Sequence, residues 1–332
     1  MTVNPILLPT NRPPERFYRG GARLDAFRRE HGAADRVPED WVGSTTTIRG
    51  EETLGLTTLP DGRVLRDAVG ADPIAWLGAA HVERWGADTR LLVKILDAGQ
   101  RLPVHAHPHD DFAASHLGRA HGKAEAWYIL EGGTVHVGVR DDVDLARLSA
   151  LVTAQDVGAL LGLLHAIDVA PGDVVWVPPG ELHAIGAGVL LLELQQPEVL
   201  SILLEWDGFA IDGPALGHLG LGFDLALTAV NTRARSLEDM RDLVRSAPAS
   251  GSVFPADADP YFRLERMRVD GAGVVEQGFS IVVVAQGTLE IGVAGSAGER
   301  LRSGSTLLVP WSAGPLDVAG VGELLIARPP AA

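Results

Sequence analysis

Short apolar runs closed by glycine, proline or aspartate set the rhythm of this chain. Residues 91–96, 126–130, 174–177, 189–194, 280–284 and 306–309 are each four to six residues long, the length of strands buried on both faces. Turn residues separate them, which predicts a mainly β fold of barrel or sandwich type rather than alternating strands and helices. Helical spacing is confined to three places. Residues 22–29 make a short helix, residues 144–164 repeat leucine at three- and four-residue steps, and residues 236–244 open on Ser236 as an N-cap with Glu238 in the first turn.

The pattern occurs twice. Residues 124–139 (AEAWYILEGGTVHVGV) and then 169–185 (VAPGDVVWVPPGELHAI) read as a hairpin, a Pro-Gly-Asp turn, a strand and a proline-marked return. Residues 277–293 (QGFSIVVVAQGTLEIGV) and 301–318 (LRSGSTLLVPWSAGPLDV) read as a worn copy. Gly133 aligns with Gly287, Gly172 with Gly304, and Pro178 with Pro310. Two β-barrels of one plan are expected: residues 1–206 with a helical insertion at about 144–165, a partly helical connector at 207–260, and a degenerate second barrel at 261–332. In this register Glu125 aligns with Phe279 and His183 with Pro315, and no histidine follows His218. The second barrel is therefore predicted to be structural.

The chain has no cysteine, so a metal site must be built from histidine and carboxylate. His105-Ala106-His107 offers two imidazoles at i and i+2, on one face of a strand. Alone, that pattern is more often solvent-facing alternation. Glu125 at the start of the next strong strand and His183 after the second Pro-Gly turn complete a three-nitrogen, one-oxygen set suited to zinc, iron, manganese or nickel. His109, His116 and His121 fall in a polar loop and are expected to be solvated, whereas His136 and His165 read as structural. His31, His81 and His218 carry no signal.

Composition narrows the function. The net charge of −15 argues against a nucleic-acid partner, which needs a basic surface. No uninterrupted apolar stretch is long enough to span a membrane. Residues 1–14 hold only a short apolar piece between prolines, so no signal peptide is expected and the protein reads as cytoplasmic.

Five segments resemble the type I mannose-6-phosphate isomerase family of the cupin superfamily: 91–96 (LLVKIL), 102–112 (LPVHAHPHDDF), 122–129 (GKAEAWYI), 171–186 (PGDVVWVPPGELHAIG) and 192–196 (LELQQ). Residues 18–21 (YRGG) and 38–41 (PEDW) fit more loosely, and the likeness covers about residues 15–200. The resemblance implies cupin-like barrels of jelly-roll type and one zinc ion per chain. It also implies interconversion of mannose 6-phosphate and fructose 6-phosphate through an enediol. His107, Glu125 and His183 match the family's ligands, and His105 replaces its usual glutamine with a better zinc donor. Lys123 matches an active-site lysine and Glu193 an acidic residue of the sugar pocket; both are candidates for the acid–base work. Trp127-Tyr128 matches a pair that also suits a barrel core. One departure concerns substrate: the family's arginine, a few residues beyond Gln195-Gln196, has no counterpart in residues 197–206. Arg19, Arg119 and Lys123 are the candidates for binding the phosphate instead. The missing arginine motivates a related isomerase acting on another sugar or sugar phosphate as an alternative. A non-catalytic sugar-binding cupin and an iron-dependent oxidative cupin are the others.

Overall fold

The computed structural model describes residues 3–332 except Ala33; Met1 and Thr2, part of the segment examined for a leader, lie outside it. Each apolar run predicted as a strand forms one, and 33% of residues are in strands against 22% in helices, so the fold is mainly β. Three antiparallel sheets carry it. The first has the spatial order Val244–Ser246, Asp173–Val177, Glu125–Glu131, Leu190–Gln195, Leu92–Asp97, Glu39–Val42. The second runs Ile202–Leu203, His105–Ala106, His183–Ile185, Gly133–Val139, Leu164–Val169. In the third, Ile6–Leu7, Thr306–Val309, Ser280–Val293, Leu316–Arg328, Arg263–Val275 and Gly251–Ser252 lie side by side, with Glu299–Arg302 paired to Ser280–Val293.

Leu190–Gln195 is buried at every position because it is central, flanked by Leu92–Asp97 and Glu125–Glu131. Its register sets Glu193 opposite both Lys94 and Trp127, and Gln195 opposite Glu125. Period-two alternation therefore puts Lys94, Glu125, Trp127, Glu193 and Gln195 on one face. The intervening residues turn to the other face, where Ala126, Leu192 and Leu194 join a continuous apolar cluster with Phe254, Phe262, Ile281 and Leu308.

Residues 124–139 do not fold as the expected hairpin. Glu125–Glu131 and Gly133–Val139 belong to different sheets, and the chain crosses between them at Gly132, where a Cβ would lie 2.3 Å from the Val169 carbonyl oxygen. The corresponding stretch near the C-terminus instead remains one strand, Ser280–Val293. It absorbs the change of direction as a register shift between Val284 and Gln286, followed by Gly287 at φ 81°. Hydrophobic alternation is blind to this difference, because either route buries the same side chains.

The leucine-rich stretch divides into the helices Leu145–Ala154 and Val157–Gly162. Their N-caps, Asp144 and Asp156, accept from the backbone amides of Arg147 and Ala159, and Gln155 between them is left-handed at φ 50°. Leu164, placed at the end of this helix by its spacing, begins a strand. The helix expected over 236–244 is shorter, Asp239–Leu243, with Glu238 rather than Ser236 at its N-cap; Ser236 lies in the preceding turn, where its Oγ accepts from the Asp239 amide at 3.1 Å. Val244–Ser246, inside the expected connector, forms the edge of the first sheet against Asp173–Val177.

One buried polar knot ties the first sheet to the third. Tyr128 donates its hydroxyl to Glu323 Oε1 at 2.9 Å, and Arg266 meets Glu323 Oε2 at 2.7 Å. Glu323→Ala leaves the buried Arg266 without its carboxylate and should cost about 3–5 kcal/mol of stability. Urea unfolding reads this directly, and a loss below about 1 kcal/mol would show that the knot does not hold the sheets together.

Candidate metal centre

His105 and His183 are direct neighbours in register on adjacent strands of the second sheet. His107 lies just past the end of the short His105–Ala106 strand, and Glu125 opens a strand of the first sheet. The two sheets thus bring the four predicted ligands together. All four are buried, with one ligand atom from each lying within 4.8 Å of the others. The His105 ring centroid is 4.0 Å from that of His183 and 4.9 Å from that of His107.

The second layer orients the rings. Each Nδ1 faces a backbone carbonyl: His105 meets Pro103 at 2.8 Å, His107 meets Leu200 at 2.8 Å, and His183 meets Glu181 at 2.9 Å. A carbonyl can only accept, so each Nδ1 carries the proton and each Nε2 presents a lone pair. His107 Nε2 is then 3.0 Å from Glu125 Oε2, and His183 Nε2 is 3.1 Å from Glu125 Oε1, acceptor facing acceptor. His183 Nε2 is buried with no hydrogen-bond partner. Such a group can hold a cation.

Electrostatics point the same way. Burial and then the neighbouring His183 and His107 hold the His105 imidazole well below its usual range. Burial and the Lys123 ammonium lower His107 to about 3. Neutral imidazole is the form that ligates. Burial alone would raise the Glu125 carboxyl, but Lys123, His107 and His183 together hold it well below the ordinary value, in the anionic form.

Lys123 stands against this cluster, its Nζ 2.6 Å from Glu125 Oε2 and 2.8 Å from His107 Nε2. Its ammonium and a metal ion compete for the same lone pairs. Glu193 lies 3.9 Å from Lys123 and 3.1 Å from Lys94. Burial pushes the Glu193 carboxyl up to about 7, against the attraction of Lys94.

Further residues join this row without having been singled out from the sequence. Lys94 donates to Gln195 Oε1 at 2.6 Å and its ammonium lies 5.3 Å from the Trp41 ring centroid. Glu39 accepts from Tyr18 and Trp41 at 2.6 Å each and pairs with Arg16 at 3.2 Å. The Glu39 carboxyl falls to about 2, because Arg16, Lys94 and these donors outweigh its burial. The available signal was a lysine inside an apolar strand run, which is rarely buried without a partner.

Arg19 is exposed; its backbone amide meets Gln100 Oε1 at 3.2 Å, in the loop leading to His105. Arg119 is held by Glu198, with Nε and Nη2 at 3.0 and 2.7 Å from Oε2. Neither is among the groups packed around Glu125. His121, expected to be solvated, is instead buried against Asp88 at 2.6 Å, because the polar loop folds back over the residues after Glu39–Val42. His81 is likewise buried, bonded to the Asp88 carbonyl at 2.7 Å. Among the described residues no helix is long and apolar enough to cross a membrane.

Fold and site together define a mainly β protein of cupin fold with a buried three-histidine, one-glutamate group able to hold a metal ion. No protein-family model matches the chain. It is similar to mannose-6-phosphate isomerase ManA of Bacillus subtilis, 26% identical over 251 residues that cover 72% of this chain and 74% of that protein. It is also similar to the mannose-6-phosphate isomerase of Streptococcus mutans, 34% identical over 184 residues that cover 53% of each chain, about half of that relative's length. The crystal structure of mannose 6-phosphate isomerase from Bacillus subtilis superposes with a TM-score of 0.77 at 21% identity, covering 98% of this chain and 100% of the other. The apo form of mannose 6-phosphate isomerase from Salmonella typhimurium gives 0.73 at 16%, covering 99% of each. At these identities the structural likeness speaks for the fold. By sequence the chain is similar to mannose-6-phosphate isomerases, and by fold to their crystal structures.

Proposed function

We propose that the protein is a zinc-dependent aldose–ketose isomerase interconverting mannose 6-phosphate and fructose 6-phosphate. The observation that carries this reading is the convergence of three backbone-oriented imidazoles on Glu125, with Lys123 and Glu193 buried beside them. Held by His105, His107, Glu125 and His183, a zinc ion supplies electrophilic polarisation of the sugar's carbonyl oxygen. Isomerisation then needs one proton moved between adjacent carbons through an enediol. Glu193, raised to about 7, is matched to taking and returning a proton near neutral pH. Lys123 stabilises the developing oxyanion or binds the substrate's negative charge, and Lys94 positions the Glu193 carboxylate. Burial of the row limits competing water. In this reading residues 1–206 carry the chemistry, 207–260 connect, 261–332 form the degenerate barrel, and the enzyme works in the cytoplasm.

A second reading, a related isomerase with another sugar substrate, is favoured by the arginine-free run 197–206 and its carboxylates Glu198 and Glu205. A coupled assay on zinc-loaded protein decides between them. Turnover of mannose 6-phosphate, lost with chelator and restored by zinc, is the expected result. Equal turnover of free mannose would replace the first reading with the second, and turnover of neither sugar would leave a binding protein.

A further inference from the structure

A separate polar cavity of about 390 Å³ lies between the residues after Glu39–Val42, the Leu65–Ala71 helix and the loop before Glu125. We infer that it binds a phosphate-class oxyanion through Arg66, Arg119, Thr46 and His121. As the seat of a substrate's own phosphoryl group the site rests on the isomerase reading; as a site for free phosphate it does not.

Two buried polar atoms on its walls lack partners. His121 is 5% exposed and Thr46 is 8% exposed, and neither His121 Nδ1 nor Thr46 Oγ1 has a hydrogen bond. Each carries a desolvation penalty that a ligand's oxygens relieve. The acidic groups nearby are already engaged. Asp88 accepts from the Arg90 amide at 2.8 Å and faces His121 Nε2 at 2.6 Å, while Glu198 Oε2 takes the Nε and Nη2 donors of Arg119. Cationic donors remain in reserve. Arg119 has Nη1 uncommitted among the described residues, and the closest carboxylate paired with Arg66 is the exposed Asp67 at 3.9 Å. With Nε2 directed at Asp88, His121 leaves its buried Nδ1 without a partner on the cavity wall. Guanidinium forks and a hydroxyl suit a tetrahedral oxyanion, and the guanidinium groups repel a metal cation.

The location gives the site meaning. Arg119 and Thr47 also line an adjoining cavity of about 300 Å³ whose wall includes Leu200, and the Leu200 carbonyl holds His107 Nδ1 at 2.8 Å. Pro197 follows directly on the Gln195-Gln196 pair and lines the larger cavity. The anion cavity thus shares Arg119 and Thr47 with a cavity walled by the backbone that orients His107, and supplies positive charge from a different part of the chain than residues 197–206.

The test titrates inorganic phosphate into the full-length, zinc-loaded protein by calorimetry. Thr46→Val removes the hydroxyl at nearly constant shape, and Arg66→Gln removes an exposed guanidinium; each should weaken phosphate at least tenfold. Arg233→Gln, at a surface pair far along the chain, should leave it unchanged and controls for net charge. Phosphate bound only at the zinc would be insensitive to Thr46→Val and Arg66→Gln, and that result, or no binding at all, overturns the inference. A parallel arm separates the two sources. A rise in KM for mannose 6-phosphate matching the loss of phosphate affinity, with kcat held, identifies the substrate's phosphoryl group; an unmoved KM alongside lost phosphate binding identifies free phosphate. Absence of turnover in every protein defeats the isomerase reading alone, because the calorimetry still decides the site.

Discussion

His183→Ala and His107→Ala should each release the metal and abolish turnover. Both imidazoles are buried and locked by backbone carbonyls with Nε2 directed at Glu125. Removing either leaves three ligands and a gap that burial keeps from being filled well. Loss of a partner that merely orients a ligand costs about 10–100-fold in metal affinity, so loss of a ligand itself should exceed that. Metal content after dialysis should fall from about one ion per chain to nearly none, with circular dichroism confirming that the fold persists. Full occupancy in either variant would sink the ligand assignment.

Replacing Lys123 and Glu193 should have the opposite signature, lost turnover with retained metal. Lys123→Met removes the ammonium that sits 2.6 Å from Glu125 and 2.8 Å from His107. Because that ammonium competes with a metal for the same lone pairs, the variant should bind zinc at least as tightly as the parent. Glu193→Gln keeps the shape of the side chain and its contact with Lys94 while ending proton transfer. A positioned general acid or base contributes about 10²–10⁴-fold, and kcat should fall by that order in Glu193→Gln. Metal analysis beside kcat separates the cases: a Glu193→Gln protein that turns over normally removes this carboxylate from the chemistry, and a Lys123→Met protein that loses its metal makes Lys123 a structural support of the site.

Much of the site is legible in the chain. His105 and His107 share a face because strands alternate, and the apolar run 126–130 marks the strand that Glu125 opens, whereas the short segments around the histidines fall outside such runs. The likeness between the two halves is also local. Gly172 and Gly304 are both left-handed, at φ 90° and 89°, each in the turn before a buried strand, and the sequence alone pairs them.

What remained hidden depends on contacts between distant segments. Lys94 reads as an anomaly in an apolar run until pairing places it beside Glu193, about a hundred residues away in sequence. The polar loop containing His121 looks solvated because its composition is polar; only the fold shows Asp88 and Thr46 closing over it. The stretch 124–139 has the alternation of a hairpin, yet its two strands join different sheets, since alternation specifies which side chains are buried and never which neighbour buries them. The amino-acid sequence by itself determined the main apolar strands, the candidate ligand residues and the chemistry they suit, because these follow from spacing and residue type. The tertiary structure decided which charges meet and which are buried without partners, because those properties belong to pairs of residues brought together only by folding.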